Sequence, residues 1–125
     1  MQRAAILTAV LIAVIAAGAV PLHAADVTGT WSASFDTQIG VQNYTYDFKV
    51  AGTQLTGTAK SDNGQSALKN GKVEGDKISF VETLVVMGMV LEVAYQGTVV
   101  SNDEIKFTRD VAGIVTEELV AKRIK

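Results

Sequence analysis

Three charged residues, Glu82, Arg109 and Glu117, share a spacing that puts them in one chemical setting. Glu82 falls two positions past Ile78 and Phe80, and Arg109 two positions past Ile105 and Phe107. Glu117 precedes Leu119, Ala121 and Arg123 at the same interval. Residues two apart on a strand face one side, so each charge continues an inward apolar face. A buried charge is costly unless paired, and a guanidinium between two carboxylates meets that condition. Such a cluster either contacts a polar ligand group or closes a dry interior with a salt bridge. Tyr44, at the start of another alternating run, falls at the same level. Glu82 and Glu117 are also the carboxylate pair to weigh for acid–base work.

Much chemistry is removed by composition. The single histidine, His23, lies in an apolar leader, and the chain has no cysteine. After leader removal there is no Ser-His-Asp or Cys-His nucleophile system and no nitrogen- or sulfur-ligated zinc site. Asp62-Asn63-Gly64 lacks the further ligand spacing of a calcium loop and reads as a turn. No cofactor or metal is expected.

The segment Val85-Val86-Met87-Gly88-Met89-Val90-Leu91 is a nearly continuous apolar run at a hairpin tip. Val86, Met87 and Met89 there suit a lid over an apolar ligand or a lip that docks a protein partner. Two long paired strands covered by neighbouring loops are the plainer account of the run.

Strand signals recur at roughly ten-residue spacing, as in an all-β barrel or sandwich. The strands read as 28–36, 43–50, 54–60, 67–74, 77–86, 89–100, 104–110 and 115–124. The clearest alternation is Tyr44, Tyr46, Phe48 and Val50 against Thr45, Asp47 and Lys49. A bulge or bend is expected at Lys69-Asn70-Gly71. Ala51-Gly52-Thr53, Glu74-Gly75-Asp76 and Ser101-Asn102-Asp103 form tight turns at one end. The other connections, 37–42, 61–66, the 86–89 tip and the stretch before Val115, are expected to supply longer loops at the opposite end. The fold expected is an eight-stranded antiparallel up-and-down meander barrel.

Residues 1–24 read as a secretory signal peptide. Arg3 supplies a weak positive start, Ala4 to Val20 are almost wholly apolar, and Pro21-Leu22-His23-Ala24 breaks the run. The stretch is slightly short for a membrane span, although an uncleaved anchor is the alternative. Cleavage after Ala24 leaves 101 of the 125 residues as one barrel domain, 25–125, with 10 basic and 13 acidic side chains. That weak acidic balance argues against nucleic acid and anionic membranes as partners. A secreted or periplasmic location, with no membrane span after cleavage, is expected.

Trp31, the only tryptophan, follows Gly29-Thr30 on the first strand, and Arg123 ends the last. The two should meet where a closed barrel joins its ends, with the guanidinium on the indole face contributing about 1 kcal/mol. Gly29-Thr30-Trp31, the eight-strand meander and Arg123 together resemble the calycin superfamily, which includes lipocalins, fatty-acid-binding proteins and avidins. The resemblance implies a barrel closed by the Trp31–Arg123 contact, with ligands entering at the other end. Thr28-Gly29-Thr30-Trp31 with Leu55-Thr56-Gly57-Thr58 is similar to the opening strands of avidins. However, no tryptophan follows Trp31, Ala33 and Ala59 replace polar and aromatic positions, and only Ser61 matches a biotin-contacting serine. Biotin is not expected.

These readings converge on an exported, non-enzymatic barrel that binds a small molecule at its loop-bearing end through Tyr44, Glu82, Arg109 and Glu117. The alternative is a periplasmic interaction module or inhibitor acting through the apolar 85–90 hairpin.

Overall fold

Alternation of large apolar and polar side chains makes each segment two-faced, and closing the sheet gives every inward face a partner. The computed structural model describes residues 25–124, and the signal-peptide reading of 1–24 lies outside them. The strands are β1 (Gly29–Thr37), β2 (Gly40–Ala51), β3 (Gln54–Ser61), β4 (Gly64–Ala67), β5 (Lys69–Glu74), β6 (Lys77–Val86), β7 (Met89–Ser101), β8 (Glu104–Val111) and β9 (Val115–Arg123). Each pairs antiparallel with its sequence neighbour, except that β5 takes over from β4 beside β3. Pairing of β1 with β9, at Trp31↔Arg123 and Ser32↔Lys122, closes the cylinder. β4 and β5 together make one broken barrel strand, so the barrel is eight-stranded and up-and-down. Among the described residues, no helix is long and apolar enough to cross a membrane.

The break falls at Asn70-Gly71. Thr58 pairs with Ala67 and Gln54 with Lys72, so β4–β5 carries one more residue than β3 over that stretch. The same extra residue shifts register against β6 between Lys69 and Lys72. Asn70 adopts a left-handed φ of 54°. A Cβ at Gly71 would come within 2.0 Å of the Leu55 carbonyl oxygen, so only glycine lets the backbones approach this closely.

The interior is packed with rings. Phe80 and Tyr95 stack with centroids 4.4 Å apart, and Tyr46 meets Phe48, Phe80, Tyr95 and Phe107 within 6.2 Å. Together with Trp31, Leu55, Ile78 and Ile105 they form the buried core. This barrel is therefore not a deep calyx. Above the rings, a cavity opens at the end that holds Tyr44 and Arg109.

The expected long loops are absent. The connections at that end are Gln38-Ile39, Asp62-Asn63, Met87-Gly88 and Ala112-Gly113-Ile114, all two or three residues. β2 already starts at Gly40 and pairs Asn43 with Ser34 and Gln42 with Phe35. Backbone ladders need no apolar side chains, so polar residues such as Gln42 and Asn43 extend a strand without leaving an alternation signal. What distinguishes this end is the reach of the β6–β7 hairpin. Ladder pairing of β6 to β5 ends at Val81, and that of β7 to β8 ends at Val93. Beyond those points the two strands pair with each other, from Thr83↔Glu92 to Val86↔Met89, apart from the Ala112 N–H that donates to the Glu92 carbonyl at 2.9 Å.

Candidate functional site

Glu82, Tyr44, Tyr95 and Arg109 converge because β2, β6, β7 and β8 each place an inward position at one level, just above the aromatic core. Glu82 is 3% exposed and Arg109 2%. Tyr44 donates to Glu82 Oε2 at 2.8 Å, and Tyr95 donates to Oε1 at 2.9 Å. Tyr46 and Tyr95 hydroxyls lie 2.9 Å apart. Tyr95 has one proton and gives it to Glu82, so Tyr46 is the donor to Tyr95. The result is a chain from Tyr46 through Tyr95 to Glu82.

Arg109 spans the centre. Its Nη2 lies 3.8 Å from Glu82 Oε1, and its Nε lies 3.3 Å from Glu117 Oε1. The guanidinium carbon sits 5.1 Å from the Phe35 and Tyr44 ring centroids and 5.3 Å from that of Tyr95. Despite this company, Arg109 Nε and Nη1 and Glu117 Oε1 are buried without a hydrogen-bond partner among the described residues. The Arg109–Glu117 approach is ionic, and the alignment needed for a hydrogen bond is missing.

Burial shapes the protonation of this cluster. It pushes the Glu82 carboxyl above its ordinary value, and the Tyr44 hydrogen bond, the Arg109 charge and the Tyr95 hydrogen bond offset only part of that. Burial, with the Glu82 charge beside it, raises the Tyr44 phenol to about 12. Burial opposes the Arg109 charge, but Tyr95, Tyr44 and Glu82 outweigh it and hold the guanidinium above its usual value.

Over this floor lies a cavity of about 160 Å³. Tyr44, Arg109 and Glu117 form its polar base, and Ile39, Leu84, Val86, Leu91, Val111 and Ile114 supply apolar walls. Leu84 and Leu91 are cross-strand partners on the inner face of the extended hairpin. Val85 and Val90 are exposed on the outer side of that hairpin, and Met87 and Met89 are exposed at its tip. Of the residues expected to form a lip, Val86 lines the cavity while Met87 and Met89 are exposed at the hairpin tip.

Trp31 and Arg123 meet at the opposite end. The Arg123 guanidinium carbon lies 4.5 Å from the indole centroid. Its Nε, Nη1 and Nη2 donate to the carbonyls of Asn102, Thr28 and Asp26 at 2.9, 2.8 and 3.2 Å. Trp31 Nε1 donates to the Val27 carbonyl at 2.9 Å. This end is sealed by hydrogen bonds and stacking.

Sequence reasoning missed Phe35 and Tyr95 beside Arg109, and Ile39, Leu84, Val111 and Ile114 in the cavity wall. Tyr95 was assignable only to the core, because its proximity to Arg109 depends on hairpin register. Ile39 and Ile114 sit at turn tips, where alternation does not apply. Among the described residues, no group of three or more Asp, Glu, His or Cys is placed to hold a metal. No family model, curated protein or solved structure matches the chain.

Proposed function

We propose that this chain is an exported, non-enzymatic barrel of calycin-like architecture that binds a small molecule at its open end. The observation that carries the reading is the floor of that end. A buried Arg109 whose Nε and Nη1 make no hydrogen bond underlies an apolar cavity of about 160 Å³. Apolar space with a few convergent polar groups is the usual form of a ligand site. The filled core limits the ligand to the mouth, so a long chain threaded down the axis is not accommodated. A binding role also suits Glu82, whose two oxygens are both engaged by tyrosine hydroxyls.

Native mass spectrometry of freshly purified protein tests this, together with melting in the presence of compact apolar compounds. Bound mass or ligand-dependent melting is expected, and Leu84→Trp, which fills the mouth, should abolish it. Uptake unchanged in Leu84→Trp would sink the reading.

A second reading has its own support. Met87 is 96% exposed and holds a left-handed φ of 51° in the β6–β7 turn. A large apolar residue gains nothing from either circumstance unless something covers it. A protein partner docking on the exposed tip of the 85–90 hairpin would do so, and Met87→Ser with Met89→Ser should then abolish association while the fold survives.

A further inference from the structure

The polar floor of the mouth carries information about ligand charge. Among the cavity-lining residues, the only charged ones are Arg109 and Glu117, one of each sign. Glu82 lies directly beneath, on the far side of the same guanidinium. An anion brought to Arg109 would enter beside Glu117 Oε1, itself 3.3 Å from Nε, with no second cation in the lining to offset the repulsion. A cation brought to Glu117 would meet Arg109. Yet Nε and Nη1 on Arg109 and Oε1 on Glu117 make no hydrogen bond, although Nε and Oε1 face each other as an ion pair at 3.3 Å. Buried polar groups left without hydrogen bonds are costly, so a ligand head that satisfies both donor and acceptor is favoured over one that satisfies a single kind.

We propose that the mouth selects a neutral, compact amphiphile whose head both accepts and donates a hydrogen bond, a primary amide or an alcohol. The head oxygen accepts from Arg109, and its N–H or O–H donates to Glu117 Oε1. The alkyl part lies against Leu84, Leu91, Val111 and Ile114. Space supports the small size. A cavity of about 160 Å³ lies below the roughly 300–1,000 Å³ usual for drug-sized ligands. The inference rests on the mouth being a binding site.

An isosteric four-carbon series tests it: butanamide, 1-butanol, butanoate and butylammonium, titrated at neutral pH against the amide and methyl NMR resonances of the mouth. Butanamide and 1-butanol should bind about tenfold more tightly than either ion, the scale of one unfavourable charge contact. Glu117→Gln removes one negative charge and should raise butanoate affinity relative to butanamide by a similar factor of about ten. Trp31 fluorescence, at the sealed end, reports whether that variant is folded. A salt bridge serving only stability would not reorder ligand preference. Butanoate or butylammonium binding as tightly as butanamide would overturn the inference and leave the mouth a ligand site. A series that moves no mouth resonance overturns the inference as well. The mouth reading falls with it only if Leu84→Trp also leaves native uptake unchanged.

Discussion

Tyr95 donates its hydroxyl proton to Glu82 Oε1 over 2.9 Å and therefore can only accept from Tyr46. The direction of this chain makes the two tyrosines unequal. Tyr95→Phe leaves a buried carboxylate oxygen short of a donor and the Tyr46 hydroxyl without an acceptor. Tyr46→Phe removes a donor from Tyr95 but leaves the bond to Glu82 intact. We expect Tyr95→Phe to cost about 2–3 kcal/mol and Tyr46→Phe about 1 kcal/mol. Urea denaturation of the two variants measures the difference, and equal costs would contradict the assigned direction.

The raised pKa of Glu82 makes a signed prediction about pH. Its carboxyl holds a proton more tightly folded than unfolded, where it titrates near 4.5. The folded state thus binds more protons across the interval between the two values, and stability falls as pH rises through it. The stabilising contribution is complete below 4.5 and gone above the folded value. Tyr44, Tyr95 and Arg109 face this group and stay in one protonation state over that interval. Asp26 and Glu104 have lowered values and act in the opposite sense on the acid side, their contributions disappearing as pH falls. Comparing wild type with Glu82→Gln isolates the first effect. The difference between them should shift in favour of wild type as pH is lowered from 7 towards 4.5, and a flat difference would refute it.

Tyrosine ionisation offers a separate check at alkaline pH. All three tyrosines of the chain are buried in one cluster. Tyr44 is raised to about 12, and burial pushes Tyr46 and Tyr95 higher than their ordinary value as well. The native protein should show no tyrosinate absorbance as pH passes 10, where free tyrosine ionises. Because the folded state keeps protons that the unfolded state loses, stability falls from pH 10 towards 12. Phenolate absorbance should then appear together with loss of near-ultraviolet circular dichroism, in a single transition.

Arg123 joins three segments through three carbonyls and a ring. Arg123→Lys keeps the charge but cannot span Asn102, Thr28 and Asp26 at once, since only the guanidinium fork has that geometry. We expect a loss of about 3 kcal/mol in unfolding free energy, measured by denaturant titration, and a change in Trp31 fluorescence. Ligand binding at the mouth should be unchanged in the folded fraction.

Inward faces were readable because period-two alternation survives wherever the core demands large apolar groups. Trp31, Phe35, Tyr46, Phe48, Phe80 and Phe107 announce it, and Glu82 and Arg109 inherit their direction from it. Register was not readable. Counting back from the Ser101↔Glu104 turn would set Tyr95 opposite Asp110. The extra residue between Val99 and Ser101 sets it opposite Arg109 instead. Strand ends were equally silent. Gln42 and Asn43 carry backbone pairing without apolar side chains, so the open end looked looped. The apolar tips Ile39 and Ile114 escaped for a related reason, since a single exposed apolar residue in a turn has no periodic partner.

Gly57 is a sharper test of the barrel's corners than any core truncation. Its φ is 146°, and a Cβ there would lie 1.8 Å from the Asp47 carbonyl oxygen, which is backbone and cannot swing aside. Gly57→Ala must open the β2–β3 ladder or abandon the bend. The expected cost is on the order of 4 kcal/mol, in the range reserved for strain and overpacking together. A variant with the melting temperature of wild type would show that the ladder tolerates the extra carbon.

The β6–β7 turn supplies the last prediction. Met87 and Gly88 have φ of 51° and 80°, the two left-handed residues of a two-residue hairpin turn. Asparagine is the residue best suited to the first position, so Met87→Asn should relieve backbone strain and raise stability by about 0.5–1 kcal/mol. The Met87 side chain is almost fully exposed, so its replacement removes no core contact. A stabilising substitution that simultaneously weakens association would mean that the methionine is kept for what it touches and not for the fold. Thermal melting and sedimentation velocity on Met87→Asn separate the two effects. If Met87→Asn lowered the melting temperature, Met87 would instead be supporting the hairpin itself.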